Sequence, residues 1–143
     1  MDGIDWEAIP SKASPANPAA GADFSYTVPA GKRGRLTLLT AELQNDANVA
    51  NRTVRLSITD AAGHAVLKYP AAANFSNQTA GILSTYEWGV GLPASDGADQ
   101  VDRSGPLADY LELPAGTVIA TTTTNKQVGD QWEIFWNYKE IQA

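Results

Sequence analysis

Few residues of this chain can do chemistry, and their spacing decides what each is worth. Histidine occurs once, at His64, and cysteine is absent. One imidazole cannot complete a zinc site, and without cysteine there is no thiol nucleophile, thiolate metal site or disulfide. His64 follows Asp60-Ala61-Ala62-Gly63. Aspartate belongs to such a turn in its own right, so neither Asp60 nor Asp46 argues for a hydrolytic triad around His64. Glu87 and Glu133 are the pair a glycosidase would need. Each falls on the polar phase of an aromatic segment, the ordinary place for a solvated charge. Asp96, Asp99 and Asp102 recur with Gly97 in residues 94–105. Oxygen-rich loops suit calcium, but the spacing is not that of an EF-hand and the terminal bidentate glutamate is missing; a solvated acidic loop is expected. Flat aromatics can stack on sugar rings, yet Trp88, Trp132 and Trp136 lie on the inward phase of their segments. Glycine-rich phosphate loops do not occur. The chain is therefore expected not to be an enzyme and to need no cofactor or metal.

The elements that position these residues fit one domain of 143 residues. Lys and Arg total 10 against 16 Asp and Glu, giving a formal charge of −6. No basic run interleaves with aromatics, so nucleic acid is not an expected partner. No apolar stretch approaches the ~20 residues of a membrane span. The first residues are acidic, with neither the basic nor the apolar region of a secretory leader, and the sequons at Asn51, Asn74 and Asn77 are read as chance.

Residues 1–22 differ from the rest. Pro10, Pro15 and Pro18 stand among Ser, Ala and Asn, a composition that favours extended backbone. A short helical turn fits residues 5–9. An extended arm of this length could cross its own domain and touch a neighbour, and Ile4, Trp6 and Ile9 are apolar anchors that a frayed tail would not need.

From Phe24 the period is two. Phe24, Tyr26 and Val28 alternate with polar positions. Leu36 and Leu38 are followed by a change of phase to Leu39, Ala41 and Leu43, as a β-bulge produces. Val54, Leu56 and Ile58 alternate without interruption, and a turn at residues 60–63 predicts a hairpin into residues 64–69. Tyr86, Trp88, Val90 and Leu92 share one phase. Residues 117–124 are mostly β-branched and suit a strand. Trp132, Ile134, Trp136 and Tyr138 form an aromatic stripe. One or two helical turns fit residues 106–111. About eight strands at this spacing predict an all-β antiparallel sandwich, jelly-roll-like, over residues 23–143, with the arm at residues 1–22. The expected core holds Leu36, Val54, Leu56, Ile58, Leu111, Ile134 and Trp136.

Three segments carry a resemblance: VPAGKRGRLTLLTAEL, NVANRTVRLSITDAAGHAV and LPAGTVIATTTTNKQVGDQWEIFWNYKE. A Pro-Ala-Gly-Lys turn enters a long strand. Ala-Asn-Arg opens onto Val-x-Leu-x-Ile ending in Asp. Gly-Asp-Gln leads into the last aromatic strand. In these features the chain resembles small β-sandwich virion proteins of tailed bacteriophages, of the capsid cement or decoration class. The resemblance implies a homo-oligomer, often a trimer, on the outer surface of a capsid, with the major capsid protein as partner. Ile4, Trp6 and Ile9 are the expected partner-binding residues. The alternative is a carbohydrate- or receptor-binding module of a phage tail or baseplate that uses Trp88, Trp132 or Trp136.

Overall fold

The computed structural model describes residues 3–69, 75–77, 81, 83–92, 102–108 and 111–143. Asn74, Asp96, Gly97 and Asp99, together with residues 109–110 of the expected helical segment 106–111, lie outside them. A 3-10 turn at Trp6–Ala8 precedes ten strands: β1 Ser25–Thr27, β2 Lys32–Gln44, β3 Arg52–Thr59, β4 Ala65–Tyr69, β5 Phe75–Asn77, β6 Leu83–Val90, β7 Asp102–Leu107, β8 Glu112–Pro114, β9 Val118–Thr124 and β10 Gln131–Gln142. They form two sheets packed as a sandwich. The first runs β1-β9-β3-β4, with β5 also on β3; the second runs β10-β2-β6-β7, with β8 also on β2.

β2 is the spine of the second sheet. Its 13 residues pair with β10 along one side and with β8 and then β6 along the other. The expected bulge is present: β10 register passes from Asn137 opposite Leu38 to Tyr138 opposite Leu36, leaving Thr37 as the extra residue. Leu36, Leu39, Ala41 and Leu43 consequently all face the core. Leu38 does not; it falls within the shifted stretch and is 37% exposed, so its expected inward phase is corrected.

The alternation of β3 holds throughout, with Val54, Leu56 and Ile58 buried. The hairpin into β4 forms across residues 60–64, where the N–H groups of Ala62 and His64 donate to Asp60 Oδ1. Of the expected core, Leu36, Val54, Leu56, Ile58, Ile134 and Trp136 are buried, whereas Leu111 packs against the core's margin and is partly exposed.

Two expectations fail around residue 105. Residues 102–107 are a strand, not part of a loop, and Pro106 and Leu107 are extended, not helical. This strand also pairs parallel to β6, so the sandwich is not antiparallel throughout. Pro106 is tolerated because β7 is an edge, where a missing N–H leaves no ladder bond broken. Its carbonyl accepts the indole N–H of Trp88 at 2.9 Å. Leu107 ends the strand inside the core.

Candidate functional site at the arm-bearing seam

The arm lies along β10, the outer strand of the second sheet. An edge strand offers every second N–H and C=O to whatever covers it. A proline-rich segment supplies few N–H donors in return, and the contacts reflect this. The N–H of Lys12 donates to Tyr138 C=O at 2.7 Å. The two following edge N–H groups are met by side chains: Trp136 donates to Ser14 Oγ at 3.4 Å and Ile134 to Asn17 Oδ1 at 3.1 Å. The Trp136 indole N–H is shared between the carbonyls of Lys12 and Ala13, and Gln131 Nε2 donates to Pro18 C=O at 2.7 Å. Gly21 N–H, at a φ of 77°, closes the path on Asp130 C=O.

Lys12 spans the seam between the sheets. Its ammonium reaches Tyr26 Oη of β1 at 3.1 Å and Glu140 Oε1 of β10 at 3.2 Å. Glu140 Oε2 accepts from the hydroxyls of Tyr26 at 2.6 Å and Tyr138 at 2.9 Å. Burial pushes the Glu140 carboxyl up, but the Tyr26 and Tyr138 hydroxyls and the Lys12 ammonium outweigh it and hold the group below its ordinary value. Burial and the neighbouring carboxylate raise the Tyr138 phenol, which stays a donor. Tyr26 packs edge-on to Trp136 at 4.9 Å and to Tyr138 at 5.5 Å.

Of the expected anchors, Trp6 is buried and Ile4 and Ile9 are half-buried. Asp5 caps the 3-10 turn through Glu7 N–H. The Arg35 guanidinium lies 4.8 Å from the Trp6 ring, and Lys139 Nζ donates to Trp6 C=O at 2.7 Å. Burying a side chain of this kind contributes about 1.5–3 kcal/mol.

The other end of the sandwich holds a clasp absent from the expectations. Arg52 is fully buried; its Nε and Nη2 donate to Asp130 Oδ2 at 2.6 Å and Oδ1 at 2.9 Å. Nη2 also reaches Asp46 Oδ1 and Asn48 C=O, each at 3.0 Å. Asp130 accepts in addition from the N–H groups of Gln127 and Asp46. Burial pushes the Asp130 carboxyl up, but Arg52 and these amides hold it below its ordinary value. The signal was legible: Arg52 continues the inward phase of Val54, Leu56 and Ile58, as Tyr138 and Glu140 continue that of Trp132 to Trp136. Asp23 plays a similar part, accepting from Thr121 and Thr123 hydroxyls, Thr123 N–H, Lys126 and the Trp132 indole.

The remaining candidates stay apart. His64 is exposed and meets Asp60 at 3.3 Å across its own hairpin, while Asp46 belongs to the Arg52 clasp. Glu87 and Glu133 stand on the outer face of the second sheet, on strands separated by β2. Trp88, Trp132 and Trp136 are 2%, 0% and 8% exposed, so all three rings pack in the core as their inward phase predicts, and none of them is left as a platform for a sugar. Among the described residues no group of three His, Asp or Glu could hold a metal ion. Compared with protein-family models, curated proteins and solved structures, the chain has no match.

Proposed function

We propose that this chain is a virion structural protein of a tailed bacteriophage, which decorates the assembled capsid non-covalently and stabilises it. The observation that carries the reading is the arm: a 20-residue ribbon, residues 3–22, laid on the outside of a finished sandwich and presenting Ile4 and Ile9 half-exposed beside Trp6. Such an element suits contact with a neighbour, since the sandwich core needs none of it. The resemblance supports the same direction. Its Ala-Asn-Arg and Gly-Asp-Gln features contribute Arg52 and Asp130, the two halves of the buried clasp. A homo-oligomeric state rests on that resemblance as well, and a jelly-roll-like topology on the number and spacing of the strands. Decoration would work by mass action, because a protein that binds only the assembled shell stabilises it in proportion to its occupancy.

The test is co-sedimentation of the purified chain with heads of the phage that encodes it, alongside unassembled coat subunits, followed by imaging. Binding to heads alone, with added density outside the shell, is the expected result. Density confined to the tail or baseplate, or no binding to heads, would overturn the reading.

A further inference from the structure

A sandwich must dispose of its sheet edges, because an uncovered strand pairs with other chains. Most edges here carry their own protection. β1, β5 and β8 have three residues each. β4 has five, with an exposed Lys68 and a register shift between Ile58 and Thr59 of its partner. β7 holds Pro106, which has no N–H to offer a neighbour. β10 has none of these devices. It runs for 12 residues without proline, and from Trp132 to Tyr138 it bears one charge, at Glu133. Among the described residues, what covers it is the arm, and the arm is a poor strand. One main-chain hydrogen bond joins the arm to residues 131–139, from Lys12 N–H to Tyr138 C=O. Ile134 and Trp136 donate to side chains instead, and Pro10, Pro15 and Pro18 can donate nothing. The arm's hold lies largely off the ladder, in the Lys12 ammonium on Glu140 and the Trp6 ring on Arg35.

We infer that the arm guards a strand-accepting edge, and that β10 of a second copy pairs there when the arm is drawn off. The groups facing this edge belong to even-numbered residues: the N–H of Ile134 and of Trp136, and the C=O of Tyr138. An antiparallel partner must exchange bonds with that set. Ile134 opposite Trp136 of the second copy does so, and the two-fold symmetry repeats the pair in reverse. The axis then passes at Phe135, which is 49% exposed and meets its own counterpart directly. Glu133 falls opposite Asn137, and Gln131 opposite Lys139, so within residues 131–139 no like charges face one another. This self-complementarity is what makes a second copy the occupant. The two second sheets become continuous, and edge groups from 132 to 138 gain main-chain partners where the arm supplies mostly side chains. Pairing must replace the Trp6 burial and the Lys12–Glu140 contact. In dilute solution the closed form therefore persists, and an edge opened there exchanges with solvent. The inference does not depend on the virion reading, since an arm drawn onto any other surface opens the same edge.

Sedimentation of full-length variants tests it. Lys12→Glu sets a carboxylate beside Glu140; combined with Ser14→Ala and Asn17→Ala it loosens the arm along β10. This latch variant should dimerise more tightly than the parent by about tenfold or more. Trp6→Ala, which loosens the arm from its far end, should shift the equilibrium the same way, and it carries the test if the latch variant does not fold. Adding Phe135→Lys to either should abolish the gain, because it sets two ammonium groups on the axis. The chain has no cysteine, so crosslinking gives a second reading. Phe135→Cys places two α-carbons about 4.5 Å apart across the axis, within a disulfide's reach. In the latch variant it should give a linked dimer on oxidation, whereas Glu87→Cys on the same face should not. Loosened chains no more dimeric than the parent, a dimer indifferent to Phe135→Lys, or equal crosslinking through Glu87→Cys would overturn the inference. Dimerisation without head binding would remove the virion reading alone. Head binding by the parent, with loosened variants that stay monomeric, would remove this one alone.

Discussion

Arg52 and Asp130 are both fully buried and face each other in a two-bond pair, Nε to Oδ2 at 2.6 Å and Nη2 to Oδ1 at 2.9 Å. The pair ties the start of β3 to the start of β10, and through Asp46 and Asn48 it fixes the loop after β2. Both oxygens of Asp130 are occupied, the condition under which hydrogen bonds and the opposite charge can offset the cost of desolvating a buried carboxylate.

Removing one partner strands the other. Asp130→Ala should therefore cost about 3–5 kcal/mol, the usual loss when half of a buried pair is deleted. Chemical denaturation followed by tryptophan fluorescence would read it. A loss below about 1 kcal/mol would mean that water reaches the guanidinium and that the clasp is peripheral.

Acid should unfold the protein through the same group. Asp130 and Glu140 are both held below their ordinary values in the folded state. Their stabilisation is thus fully present above the unfolded carboxyl value near pH 4, and is lost as pH falls through the folded values. Urea titrations at successive pH should give a level stability near neutrality and a decline below about pH 4. Asp130→Asn should lower the plateau and flatten the decline. An unchanged slope would assign the acid sensitivity to other carboxyls.

The arm's hold on β10 can be read one amide at a time. Deleting residues 1–22 should leave the sandwich folded, because β1 to β10 lie outside them. It should speed hydrogen exchange at the Ile134 and Trp136 amides, whose acceptors Asn17 Oδ1 and Ser14 Oγ are removed. Asn17→Ala should affect Ile134 more than Trp136. Equal protection in the truncated chain would show that the arm does not shield this edge.

Leu56 is 1% exposed at the middle of β3, between β9 on one side and β4 on the other. Leu56→Ala should cost about 2–5 kcal/mol through lost burial and the cavity left behind. An unchanged melting temperature would contradict its burial.

Gly34 has no room for a side chain, because the Tyr138 ring crosses its α-carbon. Gly34→Ala would push that ring off Glu140 and Tyr26. A cost of about 1–3 kcal/mol, typical of overpacking, is expected, and thermal melting would measure it. A variant as stable as the parent would show that the ring moves aside freely.

Sequence alone determined what period two can carry. The strands of Val54–Ile58 and Trp132–Tyr138, the presence of a bulge between Leu36 and Leu39, the hairpin at Asp60–Gly63 and the short turn around Trp6 follow from local pattern. Each depends on neighbours along the chain, and alternation records which face a residue takes. The two sheets were legible as a sandwich for the same reason. Tertiary structure decided what depends on residues far apart. The pairing of β7 beside β6 turned residues 102–107 into a strand, since Pro106 and Gly105 become acceptable only at an edge against Trp88 and Tyr69. Arg52 could meet Asp130 only after strands β3 and β10 had been placed, although Arg52 lies on the inward phase of its strand. The three tryptophans were compatible in sequence with either a core or a platform, and only the first sheet packing over them excluded water. Where the arm lies was beyond the sequence altogether: proline fixes its extended shape, but the unsatisfied edge of β10 supplies the reason to lie there.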